Sequence, residues 1–221
     1  MSVKIITTSD GSHSLLNETL HETYHSIHGA MQESVHVFIK NGLECALGKN
    51  SSPISIFEVG FGTGLNALLT FQFAKARQLR VRYTTIEPSP VPEEIWSRLN
   101  YSRSLGLEQQ YRSLQNSEWE VEQMIEGNFT LLKLHVTLQQ VDIEEHSIDL
   151  VYYDAFAPSK QPELWELPLL EKISRGLKPG GFLVTYCAKG QLKRDLKSLG
   201  LTVETLPGPP GKKEMVRASK P

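Results

Sequence analysis

Two short stretches of this chain hold residues whose types and spacing suit chemistry. The first, FEVGFGTGLN (57–66), puts Gly60, Gly62 and Gly64 between an apolar run and a helical pattern. Glycines there let the chain turn sharply and let a ligand come close to the backbone. A dinucleotide fingerprint needs its third glycine at position 65, where this chain has Leu65. The early third glycine suits S-adenosyl-L-methionine, whose amino-acid end and ribose lie on such a turn and which has no pyrophosphate to cradle. Glu58 and Asn66, within the same stretch, are assigned to that cofactor site. Glu87 ends the next strand pattern, 23 residues after Gly64, where an acidic side chain can bind both ribose hydroxyls. A purely structural turn is the competing reading.

The second stretch is Asp154-Ala155-Phe156-Ala157-Pro158, directly after the apolar strand SIDLVYYD (147–154). Ligands of open α/β sheets bind outside the carboxyl ends of the strands, so this segment should face the reacting end of the cofactor. An amine must be neutral to attack a sulfonium methyl, and a nearby carboxylate can take its proton and hold the nitrogen in line. Asp154 is placed for that role, and Phe156 for stacking on a flat base. The alternative is an aspartate that caps a loop, with Phe156 in the core.

The elements needed to position these residues can be read along the chain. ISIFEVG (54–60), VRYTTIE (81–87), FTLLKLHVT (129–137), SIDLVYYD and GFLVTYC (181–187) have strand character. LNALLTFQFAKAR (65–77), PELWELPLLEKISRGL (162–177) and KGQLKRDLKSLG (189–200) have helical spacing, the second stopped by Lys178-Pro179-Gly180-Gly181. LTVETLP and KKEMVRASK, joined across Gly208-Pro209-Pro210-Gly211, form a closing hairpin, and 88–126 holds several short helices. Strand–helix alternation argues for a parallel sheet covered on both faces. The expected fold is therefore a Rossmann-like α/β domain over 51–221, with a mostly parallel seven-stranded sheet and a C-terminal antiparallel hairpin. Residues 1–50 form an N-terminal extension of strand, loop and helix lying against it.

Composition narrows the class further. The 221 residues suffice for one α/β domain with a sizeable core. No stretch reaches the roughly 18 apolar residues of a membrane span, and MSVKIITTSDG is not a secretory start. Cys45 and Cys187 read as reduced cytosolic thiols, which makes the expected location cytoplasmic. Seven histidines and these two cysteines show no metal-ligand spacing, so no metal is expected. Residues 172–221 carry 11 Lys and Arg against 3 Asp and Glu, while 1–171 carry 12 against 22. A basic end on an acidic body attracts a phosphate backbone, with Lys189, Lys193 and Lys212 as contacts; solvated helix faces explain the same charges equally well.

From roughly residue 20 onward the chain resembles the methyltransferase half of the MnmC family, bifunctional bacterial enzymes of tRNA wobble-uridine modification, and more closely the family's single-domain members. The resemblance rests on FEVGFGTGLN, YYDAFAPSKQPELW (152–165), LKPGGFLVTYCAKG (177–190) and LPGPPGKKEMVRA (206–218). It implies S-adenosyl-L-methionine-dependent N-methylation of 5-aminomethyl-(2-thio)uridine in tRNA, with Asp154 in the place of the family's catalytic aspartate and no flavin. It also implies substrate contacts from Pro158 and Lys160 of the second motif and from Lys212 of the last. YHSIHGAMQES (24–34) has a family counterpart as well, which puts Tyr24, His25 and Glu33 at the cofactor or nucleotide entrance; packing is the more common role for His25 and His28. Where the family commonly has an acid for the adenine, this chain has Val136-Thr137, leaving Thr137, Asp142 or backbone groups. The competing functions are aminopropyl transfer to a small amine and a catalytically silent tRNA-binding module.

Overall fold

The computed structural model describes residues 2–47 and 53–221. Strands β1 (Val3–Thr7), β2 (His13–Asn17) and β3 (Glu22–Thr23) form a small antiparallel sheet of their own. A helical stretch follows in three parts, Ala30–Ser34, a π-helical run Val35–Leu43 and a last turn Glu44–Ala46. Its Val37, Phe38 and Leu43 are buried in the core beneath the main sheet. The expected boundary between residues 50 and 51, and positions 1 and 48–50 of the extension, lie outside the described residues.

The main sheet comprises β4 (Ile54–Val59), β5 (Val81–Ile86), β6 (Gln123–Glu126), β7 (Phe129–Leu134), β8 (Ile148–Tyr153), β9 (Leu177–Thr185), β10 (Thr202–Pro207) and β11 (Glu214–Ser219). Their order is β10-β11-β9-β8-β4-β5-β7-β6. The five inner strands from β9 to β7 are mutually parallel, and β11, β10 and β6 run antiparallel to their neighbours. This is the expected Rossmann-like α/β sheet, with eight strands in place of seven. The additional strand is β6, inside the stretch expected to hold short helices, which it also does: Glu93–Trp96, Tyr101–Leu105 and Glu108–Asn116. Glu126 pairs with Phe129, so Gly127-Asn128 is a two-residue hairpin loop, with Gly127 at φ +59°. Such a loop suits the twist of the strands it joins.

Two other expectations change. The helix over 162–177 is a 3-10 turn, Pro162–Trp165, followed by a separate helix, Leu167–Gly176. Pro168 has no N–H for a continuous ladder and its ring would meet the carbonyl four residues back, so the helix restarts with Pro168 in its first turn. Lys178 to Gly181 are already part of β9, whose register against β8 shifts between Ile148 and Leu150.

Neighbouring residues on the inner strands point to opposite faces, which builds two cores. Ile56, Leu150, Tyr152 and Val184 face the helix Leu65–Arg77 and the N-terminal helical stretch. Phe57, Val151, Tyr153 and Leu183 face Leu167–Gly176 and the helix Gly190–Ser198. The central strands β4 and β8 and the 182–185 end of β9 therefore read as near-continuous buried runs, as parallel strands covered on both faces do. Leu68 is fully buried on the first face, and its truncation to alanine would cost about 2–5 kcal/mol. Chain order reverses at β4, with β5 on one side and β8 on the other, so a crevice opens above the carboxyl ends of these strands.

Candidate active site

The crevice is a cleft of about 1030 Å³. Gly60, Gly62, Asn66, Glu87, Thr137, Asp154, Phe156, Tyr24, His25, Glu33 and Lys212 all line it. One mouth of a single cleft thus gathers residues from the first strand turn, three further strand ends, the N-terminal segment and the C-terminal hairpin.

The glycine turn is held from two sides. Gly60 and Phe61 donate their N–H groups to Ile86 O at 3.1 and 3.2 Å, and Asp154 donates its N–H to Val59 O at 3.1 Å. Gly60 lies so near the end of β8 that a Cβ there would stand 3.0 Å from Asp154 O. Gly62 has φ +51°, and a Cβ would stand 3.2 Å from the Tyr24 ring. Gly64 is the left-handed residue that opens the helix Leu65–Arg77, beneath the turn and outside the cleft lining.

Glu87 closes the turn from β5. Its carboxylate accepts the N–H of Gly62 at 3.0 Å and that of Ser89 at 2.9 Å. A carboxylate offers about four acceptor positions, so two remain for hydroxyl donors in the cleft. Burial raises the pKa of Glu87, opposed by these two backbone donors.

Asn66 joins the two sequence motifs. Its Nδ2 donates to Asp154 Oδ2 at 2.8 Å and to Glu58 Oε1 at 3.1 Å, while Thr85 Oγ1 donates to Glu58 Oε2 at 2.8 Å. Asn66 Oδ1 is buried with no hydrogen-bond partner among the described residues, a free acceptor at the cleft wall. Glu58 lies fully buried behind Asn66, outside the lining, where burial pushes its pKa up to about 8. Burial, then the charge of Glu33, pushes Asp154 up to about 7, against the Asn66 amide and Lys212. Two carboxyls shielded from water therefore hold their protons far more tightly than exposed ones do.

Aromatic rings line the same cleft. The rings of Tyr24 and Phe156 meet edge to face, 5.0 Å apart at 81°. His25 is buried, with its N–H donated to Ser14 Oγ at 3.1 Å, and burial lowers its pKa to about 4. A neutral, packed His25 fits the structural role.

Other expected residues sit elsewhere. Pro158 and Lys160 are half-buried outside the lining, and Lys160 Nζ donates to Leu20 O at 2.9 Å, tying the loop after β8 to the N-terminal segment. Lys189 is exposed at the start of the helix Gly190–Ser198, and Lys193 pairs with Glu214 at 2.8 Å. Thr137 lines the cleft together with Gln139 and Gln140, whereas Asp142 is exposed and outside it. Among the described residues no group of three His, Cys, Asp or Glu is arranged for a metal, and no helix is long and apolar enough to cross a membrane.

Sequence reasoning missed Tyr186, which lines the cleft at the end of β9 and donates its hydroxyl to Ala155 O at 2.8 Å. Its position after a parallel strand, as for Asp154, was the available signal. It also missed the support under the turn. Tyr111 Oη and Gln115 Nε2 each donate to Thr63 O at 2.8 Å, and Lys133 Nζ donates to Gln115 O at 2.6 Å. Tyr111 and Gln115 lie one turn apart on the helix Glu108–Asn116 and Lys133 on β7, and no motif ties either element to the glycine turn.

A glycine turn, an acidic strand end and a sheet whose order reverses between them define a class I, Rossmann-like S-adenosyl-L-methionine site. Residues 106–221 match the family described as S-adenosyl-L-methionine-dependent methyltransferase, and the chain belongs to that family. Its methyl donor is S-adenosyl-L-methionine, which distinguishes it from an aminopropyltransferase. The chain is similar to the tRNA 5-methylaminomethyl-2-thiouridine biosynthesis bifunctional protein MnmC of Cupriavidus necator, at 32% identity over 212 residues covering 90% of this chain and 32% of that protein. The MnmC protein of Chromobacterium violaceum is 31% identical over 201 residues, covering 85% of this chain and 30% of that protein. The chain thus spans about a third of the length of these relatives. The crystal structure of MNMC2 from Aquifex aeolicus superposes with a TM-score of 0.79 at 28% identity, covering 100% of this chain and 71% of that one. The CMeT domain of the citrinin polyketide synthase shares the fold, at a TM-score of 0.50 and 16% identity over 81% of this chain and 50% of that one.

The residues present fit the methyl donor. The open backbone at Gly60 and Gly62, the spare acceptors of Glu87 and the unpartnered Asn66 Oδ1 converge on one cleft. These are acceptors for hydroxyls and for an ammonium group, both of which the donor carries.

Proposed function

We propose that this protein N-methylates the 5-aminomethyl group of (2-thio)uridine at the wobble position of tRNA, giving 5-methylaminomethyl-(2-thio)uridine. The observation that carries this reading is the Asn66 bridge between the glycine turn and Asp154, which puts a proton-accepting carboxyl beside the donor's cleft. The nucleoside named in the MnmC relatives, 5-methylaminomethyl-2-thiouridine of tRNA, is the product of such a transfer, and the basic C-terminal part of the chain suits a nucleic acid. Cytoplasmic location follows from such a substrate.

When bound, S-adenosyl-L-methionine supplies an electrophilic methyl group on its sulfonium. Gly60 and Gly62 give it room along the backbone, Glu87 holds the ribose hydroxyls, and Thr137 stands on the side where the adenine would lie. Glu58 keeps Asn66 in place, and Gly64 sets the start of its helix. Tyr24 and Phe156 wall the uracil ring. Asp154 takes a proton from the incoming ammonium group and holds the neutral nitrogen for attack; Asn66 occupies Oδ2, leaving Oδ1 for the amine. An acid poised near pH 7 suits this transfer, because a base works best when its pKa lies near the operating pH. The domain doing this spans 51–221, with the 1–50 extension contributing Tyr24.

The test is methyl transfer from labelled donor to tRNA bearing or lacking 5-aminomethyluridine, with nucleoside mass spectrometry of the product. Label should appear as 5-methylaminomethyluridine on the first tRNA only. Active protein that leaves aminomethyl tRNA unlabelled but labels another acceptor would sink this reading. In cells lacking the gene, the unmethylated aminomethyl nucleoside should accumulate.

A further inference from the structure

The loop between β10 and β11 is docked tightly on the N-terminal segment. His36 Nε2 donates to Pro207 O at 2.8 Å. Gly211, at φ +83°, lies directly against His28: a Cβ there would stand 2.0 Å from the ring's Cδ2. This packing turns the next residue, Lys212, into the cleft. Its Nζ reaches Glu33 Oε1 at 2.5 Å and lies 3.6 Å from the centre of the Tyr186 ring.

The partners of Lys212 are themselves fixed. Glu33 is buried, and its other oxygen accepts the N–H of Ser26 at 2.7 Å. Tyr186 donates its hydroxyl to Ala155 O at 2.8 Å, one residue beyond Asp154. Glu33, Lys212, Tyr186 and Asp154 line the same cleft. A cation and an anion 179 positions apart in sequence are thus clamped in the cleft that Asp154 also lines, joined to its loop through the Tyr186 hydroxyl on Ala155 O.

We propose that Lys212 and Glu33 form an opposed charge pair that poises Asp154 as a proton acceptor, with Lys212 acting as a positioning residue held by Glu33 and Tyr186. The proposal rests on the reading of Asp154 as the base. Charge pairs in a partly dehydrated wall act strongly on a neighbouring acid, a cation favouring its ionised form and an anion its neutral form. Both influences fall on Asp154, Glu33 holding its proton on and Lys212 drawing it off. The other titratable groups of this cleft are His21, Glu22, Tyr24, neutral His25, Glu87, Glu163 and Tyr186, with Glu58 and Tyr83 buried behind the lining. Among the described residues, Lys212 is the cation that lines this otherwise acidic cleft.

The test is a carboxyl titration that does not depend on turnover. Protein with 13C-carboxyl aspartate is followed by NMR against pH, the Asp154 signal being identified by its loss in Asp154→Asn. Lys212→Met should raise the Asp154 midpoint by roughly half a unit to one unit, the scale of one charge in partly hydrated surroundings. Glu33→Gln should lower it by a similar amount, and Lys212→Arg should keep the parent value. An unmoved midpoint in Lys212→Met, or shifts of the same sign in Lys212→Met and Glu33→Gln, overturns the proposal. If Glu33→Gln fails to fold, Lys212→Met and Lys212→Gln decide it alone. The low-pH limb of the rate profile should follow these midpoints. Midpoints that move while the rate limb stays would leave the charge pair intact and remove Asp154 as the base.

Discussion

Asn66 Nδ2 stands 2.8 Å from Asp154 Oδ2, so the first turn of one helix holds the carboxyl at the end of a strand 88 positions away. That bond orients Asp154 without neutralising it, which leaves burial as the main influence on its proton affinity.

Asp154→Asn keeps the shape and the acceptor for Asn66 but removes proton acceptance. Methyl transfer should fall about 10²–10⁴-fold, the usual contribution of general-base catalysis, while donor affinity changes little. The parent rate should climb as pH rises through about 7, where Asp154 ionises, and the variant's residual rate should climb only toward the pKa of the amine itself. Steady-state rates from pH 5.5 to 9.5 check both. A variant profile of parental shape with a loss under about tenfold would leave Asp154 a positioning role only.

The same substitution should stabilise the fold at alkaline pH. The folded-state pKa of Asp154, about 7, lies above its ordinary 3.8, so the folded protein holds a proton that the unfolded chain has released. Stability is therefore lost as pH rises between these two values, and the deficit is complete above about 7. Asn carries no such penalty. Melting curves should show Asp154→Asn above the parent at pH 8.5 and level with it near pH 4. Equal differences at both pH values would mean that Asp154 titrates normally.

Glu87→Ala should weaken S-adenosyl-L-methionine binding by roughly 1.5–3 kcal/mol, the range for hydrogen bonds to a charged group. Part of that effect comes through the turn, because Gly62 loses the acceptor of its N–H. Gly62→Val should be worse, since it strains a φ of +51° and drives a side chain against Tyr24. Calorimetry giving parental affinity for either variant would place the donor elsewhere.

The exposed lysines rather than the clamped ones should meet tRNA. Lys189, Lys197 and Lys213 are exposed, whereas Lys193 and Lys212 are ion-paired to Glu214 and Glu33. Replacing the first three with alanine should weaken tRNA binding and reduce the salt slope by about 0.7–0.9 for each phosphate no longer neutralised. Donor affinity should not move. An unaltered slope would make these lysines solvated surface.

The residues of the glycine turn and of the Asp154 segment were legible in the sequence because each depends on a local rule. Glycines must follow a buried strand where the backbone turns toward a ligand, and an acid after a parallel strand must emerge at the sheet's carboxyl edge. The apolar runs of β4 and β8 likewise announced strands buried on both faces, and β-branched and aromatic residues announced β5. Even β6 had a local signal, the Gly127-Asn128 loop, which the polar stretch before it concealed.

Lys212 shows what only the tertiary structure decided. By charge count it belongs to a basic surface, and nothing near it in sequence points to Glu33 as its partner. Its partner Glu33 lies 179 positions away, and Tyr186 reaches it from a third element. Which charges meet depends on how the hairpin loop packs against His28 and His36, a meeting of segments that carry no shared pattern. The proton affinity of Asp154 has the same origin. Its identity and place follow from one strand, but burial and the charges of Glu33 and Lys212 exist only once distant parts of the chain close around it.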